Sequence, residues 1–547
     1  TNANLPPYYA LFYIIKHTAT TGSGSGGGGI ELLSPKTATG TSVEFTDIPA
    51  DAKEITLMFS EVGVGNTTNH LLVQLGTSSG WINTGYYASS EAENGNTDVS
   101  ASDGFPIHNK NGSDSAGNRF TGSMIINLFK TSPSKTYTQI GQFKRYNSSN
   151  DCEDCSSACQ TYGNVDSISG DITRIRVLAN HTGSGQSFTN GEINVSCNSG
   201  GSGGGSGSGS GFVLQTAKSS ATENSNPIEF TDIPEDAYEI TLMFNGVSLS
   251  GPNEFLVQLG TSSSYIETGY TATSSSEGGS IDEDKNTAFI IYNGGGGSSH
   301  CGKFDINKFS DTAYTFEGQT RSTTDSGSQA YGVLNGVSGT ITRLRIKPSG
   351  SNNFDAGSIN ISYKTASSGS GSGSGSGFVL LDRKSTTGTS VEFTDIPANA
   401  FEMTLMLEDV SGDNATDFDV QLGTSSGYIT SNYNSSSEKA NGDNSSNSTS
   451  SFVIRNDKDS GSFQGSMIIN KSSSNSYSEI GQFKTSSTNA VDCYGSLSSV
   501  SGTVDRLKVS ISNGNFDTGG LIGLSYKTAS SGSSSGITIQ DEGSDLS

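Results

Sequence analysis

Apolar and polar residues alternate along most of this chain. In KEITLMF (residues 53–59) Ile55, Leu57 and Phe59 alternate with Thr56 and Met58, and TYTQIGQF (136–143) alternates likewise, the period-two pattern of strands with a buried face. No segment carries a helical stripe, and the runs are short, bounded by Gly, Ser, Asn and Asp. The pattern then repeats. EFTDIP begins at Glu44, Glu229 and Glu392, and VQLGTSS follows at Val73, Val257 and Val420, which are 29, 28 and 28 residues later. GSMIIN at Gly122 and Gly465 corresponds to GKFDIN at Gly302, and GQFK at Gly141 and Gly481 to GQTR at Gly318. A Tyr-Gly pair (Tyr162, Tyr331, Tyr494) precedes each Ser-Gly corner, at Gly170, Gly339 and Gly502.

Constant internal spacing means that each copy has its own fixed structure, and a unit of this length can enclose its own core. Nine or ten strands per copy are expected. One open sheet of that size would expose long edges, so the pattern predicts an all-β chain of three tandem two-sheet β-sandwich domains of jelly-roll type. The expected organisation is an N-terminal segment at 1–21, a Gly/Ser linker at 22–29, copy 1 at 30–198, a linker at 199–211, copy 2 at 212–367, a linker at 368–377, copy 3 at 378–527, and 528–547 as a linker and the start of a further segment. Gly/Ser tracts bury almost no side chain and act as flexible spacers, so the domains are expected to be strung rather than fused.

Charge narrows the partners. With 30 Lys and Arg against 54 Asp and Glu the net charge is −24, which argues against nucleic acid. The longest apolar run, Tyr8 to Ile15, is far shorter than the roughly twenty residues of a membrane-spanning helix. That run (Tyr8, Tyr9, Leu11, Phe12, Tyr13, Ile14, Ile15) belongs to no copy, and it is expected to pair as an extension strand with another subunit or particle protein; a strand of its own first domain is the alternative.

Candidate chemistry is sparse. Cys152, Cys155 and Cys159, with Cys197 as a fourth member, form a candidate disulfide or thiol cluster, or less readily a zinc site, because the spacing matches no paired knuckle. Acidic loops at 91–93, 282–284 and 457–459 could take Ca2+ but lack the spacing of a calcium loop, so no cofactor is expected. The Asp shared by the three EFTDIP motifs is expected to close a turn. One basic feature recurs: Arg174/Arg176, Arg343/Arg345 and Arg506/Lys508, each pair on one strand face, either a solvated outer face with local ion pairs or a contact for an anion or partner. No catalytic arrangement of Ser, His or carboxylates recurs, so no enzyme is expected.

The repeated residues resemble a known domain. IEFTDIP…EITLMFNGVSLSG…FLVQLGTSS…ETGY, ending SGTITRLRI…NNFDAGSINISYK at Ile228 to Lys364, is similar to a domain that recurs in tailed-bacteriophage virion proteins of the tail-fibre and structural type. The resemblance covers about 30–527, and the closing GITIQDEGSDLS is similar to the lead-in of another fibre segment. It implies a virion appendage without enzymatic activity, whose partners are other virion proteins, further copies of itself (a homotrimer is common in such fibres) and host-surface glycans. Specificity would lie in the variable loops at 89–121, 274–301 and 435–464. A secreted prokaryotic filament or cell-surface layer subunit, polymerising by donation of its N-terminal strand, is the second expectation.

Overall fold

The computed structural model describes residues 30–528 except 66–69, 93–98, 108–118, 132–133, 147–157, 180–186, 200–211, 220–226, 277–281, 294–297, 323–326, 366–376, 382, 414–416, 440–444, 456–460, 474, 486–489 and 512. The Tyr8–Ile15 segment, Cys152, Cys155 and nearly all of the Gly/Ser spacers lie outside the described residues.

Copy 1 is built from β1 (Ile30–Leu32), β2 (Lys36–Thr37), β3 (Ser42–Phe45), β4 (Ala52–Val64), β5 (Leu71–Thr77), β6 (Gly80–Trp81), β7 (Tyr86–Ala92), β8 (Val99–Ala101), β9 (Phe105–Ile107), β10 (Arg119–Lys130), β11 (Lys135–Tyr146), β12 (Ala158–Ile168), β13 (Arg174–Leu178) and β14 (Phe188–Ser199). The large sheet runs β1-β14-β4-β10-β11-β12-β7-β8 with β2 beside β14, and the small sheet runs β3-β13-β5-β6 with β9 beside β5. The named pairs are antiparallel, and copies 2 and 3 repeat the arrangement in sheets of nine and four, and of nine and five, strands. The sandwich prediction therefore holds. The strand count was too low, because two- and three-residue strands such as β2, β6 and β9 leave no period-two run long enough to recognise.

Each copy closes a core of its own between its two sheets. In copy 1 the inward side chains of β4 (Ile55, Leu57, Phe59) meet Val73 and Leu75 of β5 and Ile175 and Val177 of β13. One polar contact recurs inside all three cores. The buried N–H groups of Leu75, Leu259 and Leu422 donate to the hydroxyls of Tyr86, Tyr270 and Tyr433 at 2.8, 2.9 and 2.9 Å. Tyr86→Phe leaves that N–H buried without an acceptor, so it is expected to cost about 1 to 3 kcal/mol, read from the shift of a denaturant midpoint.

In copies 2 and 3 the carboxylate of the EFTDIP Asp accepts from the preceding Thr hydroxyl, Thr231 to Asp232 and Thr394 to Asp395, each at 3.0 Å. Asp232 and Asp395 lie at φ +63° and +65°, a left-handed conformation that Asp tolerates better than most residues. The following turn is closed by the main chain, the Ala52, Ala237 and Ala400 N–H groups donating to the carbonyls of Pro49, Pro234 and Pro397.

The large sheets are buried on both faces. Along β4, Met58 and Thr56 point away from the core formed by Ile55, Leu57 and Phe59, yet they are 0% and 4% exposed. The cover is supplied by the other two copies. Strand β11 lies against His300–Ser310, the copy-2 equivalent of β10; Ala313–Ser322 of copy 2 lies against Phe463–Ser473 of copy 3; and Ser476–Thr485 of copy 3 returns to β10 of copy 1. The same head-to-tail contact thus occurs three times and closes a ring about a pseudo-threefold axis. This overturns the expectation of domains strung on tethers. Alternation showed one buried face per strand, whereas the second face carries Thr, Ser, Asn and Gln that read as solvent-facing in a single copy.

Candidate functional site

Two places carry the repeated polar chemistry: the outer face of each small sheet and the axis where the large sheets meet. On the outer face, alternation along β13 sends Ile175 and Val177 into the core and Arg174 and Arg176 outward, as expected. The cations are covered by an aromatic ring. Arg176 lies 4.5 Å and Arg174 5.6 Å from the Trp81 ring centre, Arg345 and Arg343 lie 4.1 and 5.6 Å from Tyr265, and Lys508 lies 4.5 Å from Tyr428. Arg176 and Arg345 also donate through Nε to Gln74 and Gln258 at 2.9 and 2.7 Å. Carboxylates complete the cluster, with Glu44 3.9 Å from Arg176, Glu267 3.3 Å from Arg345 and Asp505 2.7 Å from Arg506. Stacking with the cations fixes the hairpin after β5, and local ion pairing accounts for much of the cations' charge. The three clusters belong to three separate small sheets, so the basic residues of different copies do not come together.

Of the candidate thiol cluster only Cys159 and Cys197 lie among the described residues, and these two are not neighbours. Cys159 on β12 and Cys197 on β14 are buried and lie four strands apart in one sheet, about 19 Å at the usual strand spacing. Cys159 instead meets the Ser90 hydroxyl at 3.0 Å, and burial pushes the Cys197 thiol well above its ordinary value. Among the described residues no three His, Cys, Asp or Glu side chains converge as metal ligands.

The axis is where the copies differ. Gln160, Gln329 and Asp492 occupy one position in the three copies: Gln329 Nε2 donates to Gln160 Oε1 at 2.6 Å, and Gln482 Nε2 donates to Asp492 at 3.1 Å. Tyr331 donates its hydroxyl to Gln329, and the equivalent Tyr162 and Tyr494 are equally buried. Deeper in the interface lies an ion network. Lys364 of copy 2 contacts Glu54 of copy 1 at 2.8 Å and its own Glu239 at 2.5 Å; Lys527 of copy 3 contacts Glu239 at 3.4 Å and pairs with its own Glu402. The third lysine position, in copy 1, is Asn198. The two lysines hold the Glu239 carboxyl down to about 2 against the opposing effect of its burial.

A cavity of about 40 Å³ opens on the axis between these layers. Ile125 and Ile140 of copy 1 and Ile468 and Ile480 of copy 3 face it, but copy 2 supplies Asp305 and Glu317 at the matching positions, with Gln142, Gln319 and Gln482 alongside. Asp305 accepts from Lys303 and from the Thr241 hydroxyl, each at 2.7 Å. Glu317 accepts from the Ser466 hydroxyl of copy 3, and desolvation beside Asp305 raises its carboxyl to about 7. A carboxyl raised on folding contributes stability below its unfolded value, and that contribution is lost as pH rises through about 7. The thermal midpoint of the wild type is therefore expected to fall between pH 5.5 and 8.5 by more than that of Glu317→Gln. Equal slopes would remove Glu317 from the axis electrostatics.

No protein-family model matches the chain, and no curated protein matches it. Among solved structures, the crystal structure of the LG1-3 region of the laminin alpha2 chain aligns over 90% of this chain and 97% of its own length, at 9% identity and a TM-score of 0.14.

Proposed function

We propose that this chain is a non-enzymatic head of a bacteriophage virion appendage, whose three sandwiches act together as a single-chain counterpart of a trimer. The observation that carries this reading is the closed ring. One polypeptide already contains the threefold packing that a trimeric fibre would obtain from three chains, and the small sheets of all three copies lie on the far side of their cores from the axis.

Such a head displays three related outer surfaces at once, and simultaneous weak contacts raise avidity by roughly 10² to 10⁴ without a new contact. The variable segments that follow β7 and its counterparts include β8 and its equivalents, which end the large sheet at the edge away from β1. They suit host-surface recognition, with glycans as the expected ligand class. The net charge of −24 keeps such a surface dispersed.

Antibodies against the folded chain, applied to purified particles from its source, test the placement. Labelling of a projecting fibre supports the proposal, whereas labelling of free continuous filaments replaces it with a secreted-filament subunit. A glycan array probed with the intact chain tests adhesion, and absence of binding to every glycan reduces the role to architecture.

A further inference from the structure

Inside the ion network, Glu54 touches two nitrogens with complementary chemistry. Its Oε2 accepts from Lys364 Nζ at 2.8 Å and from Asn127 Nδ2 at 3.1 Å, so an amine of copy 2 and a carboxamide of copy 1 meet on one carboxylate oxygen. All three side chains are buried: Asn127 is 0%, Lys364 3% and Glu54 7% exposed. Asn127 Oδ1 has no hydrogen-bond partner, so the amide can turn without giving up a bond from that oxygen.

We propose that Lys364 and Asn127 form an isopeptide bond that covalently joins copy 2 to copy 1, with Glu54 as the proton relay. The amine Nζ attacks Cγ of Asn127, the Cγ–Nδ2 bond breaks, and an Nζ–Cγ amide forms. The two protons lost by Nζ pass through Glu54 to Nδ2, which leaves as ammonium, so no oxidant or other co-reactant is consumed. Burial favours this chemistry, because excluding water protects the tetrahedral intermediate and lets a carboxylate exchange protons with an amine at short range.

The repeats provide an internal contrast. Cross-strand register places Asn307 opposite Glu239 in copy 2 and Asn470 opposite Glu402 in copy 3, so every copy retains the Asn and the Glu. The seam between copies 3 and 1 has Asn198 in place of the lysine, and it lacks the nucleophile. At the seam between copies 2 and 3, Lys527 pairs with Glu402 of its own copy and lies 3.4 Å from Glu239. The geometry therefore assigns the cross-link to the pair Lys364–Asn127.

Intact-mass measurement of the full chain in denaturant tests this directly. The expected result is a deficit of one ammonia, about 17 Da, together with a branched peptide joining the Lys364 and Asn127 segments after proteolysis. Lys364→Arg and Asn127→Ala should each restore the full mass. Glu54→Gln should do the same while retaining the β-sheet circular dichroism of the wild type. A full-mass wild-type chain overturns the proposal irrespective of how any variant folds. So does a deficit without the branched peptide, which would indicate cyclisation of an asparagine elsewhere, or a deficit that persists in Asn127→Ala.

Discussion

Replacing Glu239 by alanine lowers the stability of the ring by about 3 to 5 kcal/mol, the usual effect of removing one partner from a buried ion network. Glu239 lies between Lys364 and Lys527, at 2.5 and 3.4 Å, and the two ammonium groups are 4% and 8% exposed. Without the carboxylate, each lysine loses a partner that offsets its desolvation. Lys364 retains Glu54, and Lys527 retains Glu402, so the domains themselves still fold. The loss falls on the interfaces. In the Asn127→Ala background, where Lys364 stays an ammonium and no cross-link joins copies 1 and 2, calorimetry of the full chain should show the transition move to lower temperature when Glu239 is replaced, with separation of the copies preceding melting of their cores. An unchanged midpoint would show that the network contributes nothing net to the ring. Glu239→Gln keeps the volume but not the charge, and it should fall between the two.

The second large effect is expected at Gly302. A methyl group there would lie 2.2 Å from the Gln319 carbonyl oxygen and 2.8 Å from the Thr320 Cα, both main-chain atoms of the paired strand. The residue also has φ +154°, at the margin of the region that disfavours side chains. Gly302→Ala must therefore push apart the central strands of the copy-2 sheet, and Gln319 on the displaced strand lines the axial cavity. A loss of about 3 kcal/mol or more is expected, measured as a shift in the denaturant midpoint with loss of the single cooperative transition. Gly122 and Gly465 have the same clash in their own copies, at 2.1 and 2.2 Å from the equivalent carbonyls. The requirement thus belongs to the shared fold rather than to one copy's local sequence.

The outer clusters illustrate a signal that was present but easily passed over. Arg174/Arg176 and their counterparts were visible as a repeated basic face, yet their partners Trp81, Tyr265 and Tyr428 stand at one constant place after the TSS of each VQLGTSS motif. Matching two repeated positions to each other would have found the stack. The axis left a fainter trace. Copies 1 and 3 agree at Ser123/Ser466, Ile125/Ile468 and Ile140/Ile480, and copy 2 alone replaces them with Lys303, Asp305 and Glu317. Three coordinated departures by a single copy suggest asymmetric contacts, but nothing in the linear order shows that these positions meet.

Local patterning by itself determined the longer strands, the three copies, the two-sheet sandwich and the outward direction of the Arg pairs, because alternation and turn residues act over a few neighbours. Only the tertiary structure decided that the copies pack in a ring, that Cys159 and Cys197 lie apart, and that Lys364 reaches Glu54 across 310 residues of chain. The physical reason lies in the second face of the large sheet. Its Thr, Ser, Asn, Gln and Glu side chains are suitable for water and also for a desolvated interface in which many pair with one another, as Gln329 does with Gln160 and Glu54 with Lys364. Which of these occurs depends on whether another copy covers them, and that is a property of the assembled chain.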